Sequence, residues 1–316
     1  MRAVVIQPEQ TVLGVDRQVQ GHVAERLRAA AGIDQCDLRC AVQRVAHRNL
    51  EFRQRFALAL VRAQVPAPVL ANLRILRREL EPSAASGCGL VFQGACLVTP
   101  RGGRSAPGLS RVHDRDFVLS LKPAVDAVKA HGARLVLQLG HGALQTMELW
   151  HRAYREAHPD LETLAVDEPP WWFRALGHTP LLDLSKVRVM TEAELEELTR
   201  AFGRAASHAA AAGYDGVHLA GANASIFQQC WSPVFNRRRD AFGEDRGRFF
   251  RLVVEEIRRA TPRGFLLTTK VPAETAAPFF VRGALTIEDG ARLCRVAEDL
   301  GVDAVAPVRV GVTRDQ

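Results

Sequence analysis

Three polar side chains stand where an α/β chain commonly does its chemistry: Gln138, Asn223 and Lys270. Each follows or closes a short apolar run, in LVLQL, GVHLAGAN and LTTK. A carboxamide offers a donor and an acceptor edge, so Gln138 and Asn223 suit partners that present one or both. Lys270 would hold a positive charge beside a place where negative charge collects. Metal chemistry is not expected, because Cys36 and Cys40 lack a second ligand pair. Neither a G-x-G-x-x-G nor a G-x-x-x-x-G-K-[ST] run follows any strand, which argues against a doubly wound nucleotide-binding fold.

The elements that must position these groups alternate from Gly87 onward. Strands are expected at Gly89–Val98, Ala133–Leu139, Tyr214–Ala220, Phe265–Val271 and Asp303–Val308. Between them, helices are expected at Asp116–His131, from Thr191 to Ala212, at Glu244–Ala260 and at Thr286–Leu300. Thr191 and Glu194 have capping-box spacing, and Gly213 closes that helix. Pro123 is tolerated only in the first turn of its helix. A long insertion spans Gly142–Val189 and contains Pro169, Pro170, Trp171, Trp172 and Phe173; its aromatic residues either line a substrate mouth or cover apolar surface. Such alternation demands a parallel sheet with crossover helices, and the polar residues gather at strand C-termini, the active face of a barrel.

Residues 1–86 form an atypical Arg-rich segment. They offer only a short strand pattern at Ala3–Ile6 and helical patterns at Val23–Ala31 and Leu50–Ala63. Residues 1–80 hold 13 Arg, no Lys and 7 acidic residues, a balance of +6 within a chain net of +7. No aromatic platform accompanies the arginines, so nucleic acid is not an expected partner. The absence of a long apolar run or a secretory signal, together with scattered cysteines, points to a reduced cytoplasmic protein.

Three stretches resemble the Old Yellow Enzyme family of NADH:flavin oxidoreductases: LVLQLGHGAL (135–144), AAAAGYDGVHLAGANASIFQQCWSPVFNRRRDAFG (209–243) and LTTKVP (267–272). Their order and spacing carry the resemblance. It implies a (β/α)₈ TIM barrel over residues 87–316, with FMN at its C-terminal mouth, NADH or NADPH as reductant, and a small-molecule acceptor such as an activated alkene. By the same resemblance Gln138 pairs with the flavin pyrimidine edge and Lys270 balances charge near N1 and O2. Ala95 is the small residue whose backbone approaches the ring, and Asn223 donates to the acceptor's carbonyl oxygen. His141 is read as a hydrogen-bonded support. His218, where the family has Glu, is read as a satisfied structural histidine.

The departures are specific. Ala220 replaces the first histidine of the carbonyl-binding pair, and Ser225 replaces the tyrosine that protonates the substrate. The final two βα units and the FMN phosphate loop are not recognisable, which implies a partial barrel, weak FMN retention and impaired turnover. Open sheet edges also leave room for a homo-oligomer. Either the chain is a fragment or residues 1–80 replace barrel elements. A non-catalytic binding scaffold, or a basic interaction module on an inert barrel, remains the alternative.

Overall fold

Apolar runs bounded by glycine and polar turns become strands in the computed structural model, which describes residues 69–176, 183–223, 225–276 and 281–311. The strand and helices read at Ala3–Ile6, Val23–Ala31 and Leu50–Ala63, and the Cys36/Cys40 pair, lie outside the described residues. The described strands are β1 (Leu90–Leu97), β2 (Ser110–Arg111), β3 (Arg134–Gly140), β4 (Thr163–Ala165), β5 (Val187–Val189), β6 (Gly216–Leu219), β7 (Leu266–Ala276) and β8 (Ala304–Gly311). The helices are α1 (Val69–Ala85), α2 (Arg115–Ser120), α3 (Lys122–Lys129), α4 (Met147–Trp150), α5 (Arg152–Ala157), α6 (Trp171–Leu176), α7 (Glu192–Ala211), α8 (Ile226–Trp231), α9 (Ala241–Glu244), α10 (Arg248–Ala260) and α11 (Ile287–Asp299).

Six strands form one sheet in the order β2-β1-β3-β6-β7-β8, and every neighbouring pair is parallel. Apart from the two-residue β2, each strand is added on the same side of its predecessor. A doubly wound sheet reverses its order at a switch point. Steady one-way addition is the winding of a (β/α)₈ barrel, the fold expected from the sequence. The insertion carries its own small parallel pair, β4 with β5.

Register divides the side chains between two faces. Leu135, Leu137, Leu139, Val217, Leu219, Leu267 and Val271 share one hydrophobic core with Val125, Val128, Leu198, Phe202, Val253 and Ile257 of the helices. The pairings Gln138↔His218↔Thr268 and Lys270↔Ala306 then lie on the opposite, inner face. Helix α1 contributes Leu80 and Ala84 to the main core, so organised chain begins before Gly87, at a helix whose pattern the sequence does not announce.

Several boundaries differ from expectation for definable reasons. The stretch Asp116–His131 is two helices, breaking at Leu121 because Pro123 lacks an N–H and sits at the start of α3. The stretch Glu244–Ala260 is likewise interrupted, since the Asp245 carboxylate accepts from Gly247 N–H at 2.9 Å and turns the chain between α9 and α10. The Thr191–Glu194 capping box forms as expected, and Thr286 with Asp289 makes a second. Strand β7 does not stop at Val271 but pairs with β8 as far as Ala276↔Gly311, across an irregularity between Pro272 and Glu274. Lys270 therefore lies within a strand rather than at its end.

Candidate active site

Small residues open the inner face at the level of Lys270. Gly140, Ala220 and Ala306 are its neighbours across the sheet, and a β-carbon placed on Gly140 would rest 3.5 Å from that of Ala220. The result is a shelf with little side-chain bulk and one buried cation, Lys270 being 5% exposed. Gln138, half-buried, lies two residues before Gly140 on β3, level with Thr268. Beside it, β1 changes register between Gln93 and Cys96, so Ala95 sits in a bulge. Bulges commonly re-aim strands beside active sites. Gln138 and Lys270 thus share one face, and Ala95 lies in the bulge of the strand next to Gln138.

Asn223 stands apart from them. It is exposed, just beyond β6, and adopts a positive φ of 60°, a conformation asparagine tolerates better than most residues. The turn leading to it requires Gly221, because a β-carbon there would overlap the Lys270 carbonyl oxygen. The chain after β6 is therefore pressed onto the backbone of β7. Ser225 is 8% exposed, begins α8 without a side-chain cap, and its Oγ lacks a hydrogen-bond partner.

Both histidines are buried at 3% exposure. His141 acts as a support: its Nδ1 accepts from Ala143 N–H at 3.2 Å, and its carbonyl accepts from Ile226 N–H at 3.0 Å. Nε2 therefore carries the proton, and it has no partner. His218 pairs through Nδ1 with Thr268 Oγ1 at 2.8 Å and meets the edge of Phe92 at a 5.1 Å ring separation. Its Nε2 is unpartnered, so the expectation of a satisfied histidine holds for only one of its nitrogens.

Burial pushes His141 down to about 4. Burial, then the nearby charge of Lys270, pushes His218 down to about 3. Both rings are thus neutral in the folded protein and protonate near 6.5 when unfolded. The unfolded state binds more protons below that pH, so stability is full above 6.5 and falls with acidification. From pH 6.5 to 5 the two rings together cost about 3 kcal/mol, the slope rising toward roughly 1.4 kcal/mol per group per pH unit as the unfolded rings become fully protonated. Paired carboxylates with depressed pKa values, such as Glu194 at about 2, weaken only at lower pH. Thermal unfolding of the native protein should show a marked drop in midpoint over this window, roughly halved in His218→Gln. An equal drop in the variant would contradict the assignment.

Sequence inspection missed Gln229. Its Oε1 accepts from Leu144 N–H at 3.2 Å and its Nε2 donates to the Gly142 carbonyl at 3.0 Å, tying the loop after β3 to α8. The signal was available: two glutamines inside the otherwise apolar IFQQCW. The insertion's aromatic residues do two different things. Trp172 and Phe173 are buried with Phe235, Val234 and Val281, whereas Trp171 is 68% exposed. Among the described residues no group of three or more His, Cys, Asp or Glu could hold a metal ion. Nor is any described helix long and apolar enough to cross a membrane.

Comparison with known proteins bears on the family and the fold. The model of the NADH:flavin oxidoreductase / NADH oxidase family matches residues 76–301. A probable NADH-dependent flavin oxidoreductase, YqiG of Bacillus subtilis, is 32% identical over 54% of this chain and 42% of its own length. A metal reductase of Desulforamulus reducens is 30% identical over 70% of this chain and 30% of its own. An NADPH dehydrogenase of Geobacillus sp. is 28% identical over 73% of this chain and 63% of its own. The chain thus spans between 30% and 63% of the length of these relatives. Among solved structures, 2-naphthoyl-CoA reductase superposes with a TM-score of 0.63 at 20% identity, over 76% of this chain and 35% of its own. The Old Yellow Enzyme homologue from Zymomonas mobilis gives 0.57 at 20%, over 76% and 63%. At that identity these structures speak for the fold alone.

Proposed function

The chain belongs to the NADH:flavin oxidoreductase / NADH oxidase family, and from that premise we propose that it is an FMN-dependent NAD(P)H oxidoreductase acting on activated alkenes, with impaired turnover. The observation that carries this reading is the inner-face shelf of Gly140, Ala220 and Ala306 with Gln138 and Lys270 beside it. Side chains of this size leave space for a flat ring, and a β-carbon on Gly140 would narrow it. The residues present fit the group.

When bound, FMN supplies the hydride chemistry between NAD(P)H and the acceptor. The Gln138 carboxamide would hold the pyrimidine edge, giving one hydrogen bond and taking another. Lys270 would stand beside N1 and O2, its ammonium set against the charge gained on reduction. Lysine lacks the fork of arginine, so it fixes the ring less tightly. Ala95, with no bulk beyond its β-carbon, would let the β1 bulge approach the ring. Asn223 would donate to the acceptor's carbonyl oxygen. Ala220 offers no donor there, and the Ser225 hydroxyl is a poor general acid because its pKa lies far above neutrality.

Reconstitution of the full chain with FMN tests this directly. NAD(P)H should bleach the flavin band, and Gln138→Ala and Lys270→Ala should each weaken FMN binding roughly tenfold, the scale of one lost hydrogen bond to a charged or polar ring edge. Unaltered FMN affinity in both variants would move the site elsewhere.

A further inference from the structure

Beneath the shelf lies a second inner layer. Register sets Gln138, His218, Thr268 and Ala304 side by side on β3, β6, β7 and β8. Lys270 stands two residues beyond Thr268, on the same face and one layer up. Of the lower layer, His218 is the residue that packing explains least. Its ring is buried, pairs through Nδ1 with Thr268 Oγ1 at 2.8 Å and meets Phe92 of β1. Yet Nε2 has no partner, and a buried orphan of this kind costs stability that an apolar side chain would not.

What sets this ring apart is its charge and what stands above it. Burial strips water from the imidazole, and the nearby ammonium of Lys270 opposes a second positive charge, so the ring stays neutral. Gln138, Thr268, Ala304 and Ala306, register partners in the two layers, are uncharged as well. A carboxylate at position 218 would do the reverse. It would pair with Lys270 and offset the charge that the ammonium presents at the shelf.

Resting on the functional reading above, we propose that His218 is a positioning residue that sets the reduction potential of the flavin through Lys270. Hydride transfer leaves NAD(P)⁺ and brings two electrons and one proton to the ring, a net negative charge beside the ammonium. With an imidazole underneath, the charge of Lys270 stays available to meet it. The reduced cofactor is then held more tightly, relative to the oxidised one, than it would be above a carboxylate. The flavin is accordingly poised high: easily reduced by NAD(P)H and a weaker donor to its acceptor.

FMN titrations of the full chain, oxidised and again after dithionite reduction, test this without turnover. His218→Glu should lower the ratio of reduced- to oxidised-FMN affinity by roughly tenfold or more, the scale of an opposite charge brought beside an ionised group. Each tenfold is a fall in potential of about 30 mV for a two-electron couple. His218→Gln, polar and uncharged, should leave the ratio unchanged. In a Lys270→Ala background His218→Glu should alter the ratio far less, because the ammonium through which it acts is gone. An unchanged ratio in His218→Glu, an equal fall in both single variants, or a full fall without Lys270 would overturn the proposal. Should His218→Glu fail to fold, Thr268→Asp sets a carboxylate in the same layer on the strand of Lys270. The ratio should fall again there, and no fall would count against the proposal. Native protein that takes up no FMN would overturn the functional reading and this proposal with it. FMN bound with a ratio indifferent to residue 218 would overturn this proposal alone.

Discussion

Enone turnover by this protein is expected to run on the order of 10²–10³ times slower than bleaching of its bound flavin by NAD(P)H, the scale of one missing donor to a developing oxyanion. The two half-reactions depend on different residues. On the proposed function, flavin reduction would need the ring held near Gln138 and Lys270, which lie on the same inner face. Enone reduction needs the carbonyl polarised and a proton delivered. Ala220 cannot donate, Ser225 is a weak acid, and Asn223 alone remains, exposed in a turn at φ 60°. These losses need not multiply, because groups acting as a unit are not additive. Stopped-flow traces of each half-reaction would separate them. Rescue should be unequal. Ala220→His projects onto the shelf opposite Gly140, where room exists, and should recover most of the rate. Ser225→Tyr must force a ring into a site only 8% exposed and should recover less. Enone reduction as fast as bleaching, and indifferent to Asn223→Ala, would show that the carbonyl-binding groups lie elsewhere.

Replacing Phe227 by alanine should cost about 3–5 kcal/mol, the range for deleting a fully buried aromatic ring. Phe227 is 0% exposed. Its ring lies 5.1 Å from that of Phe202, 5.4 Å from Phe249 and 6.1 Å from both Phe250 and Trp231. It joins α8 to α7 and α10, so its loss leaves a cavity bounded by three helices. The effect should reach the mouth. Helix α8 carries Gln229, which clamps the loop after β3, and Ile226, whose N–H binds the His141 carbonyl. FMN affinity measured well below the unfolding midpoint should therefore also fall in Phe227→Ala. Phe249→Leu, which removes only part of a buried ring, should cost less than Phe227→Ala. A loss below about 1 kcal/mol in denaturant unfolding of Phe227→Ala would mean that the helices close over the gap.

Features under short-range control are legible in the order of residues alone. Alternating apolar runs and helical spacing located the elements, because burial of one face leaves a periodic signature. The capping box at Thr191 and Glu194 was legible because its partners are three residues apart, and Gly213 marked a helix end because glycine accepts the positive φ of 91° found there. Chemistry-bearing types at strand ends drew attention to Gln138 and Lys270. Tertiary structure decided what depends on register. Whether Gln138 and Lys270 share a face turns on the pairing of β3, β6 and β7, and a slip of one residue would have sent one of them into the helix-packed core. The one-way strand order that separates a barrel from a doubly wound sheet is likewise a property of pairing. The sequence places the end of this strand at Val271, yet β7 runs on to Ala276 because β8 supplies partners on both sides of the bulge. The depressed basicity of His218 has the same origin: only folding removes its water and brings the Lys270 charge near it.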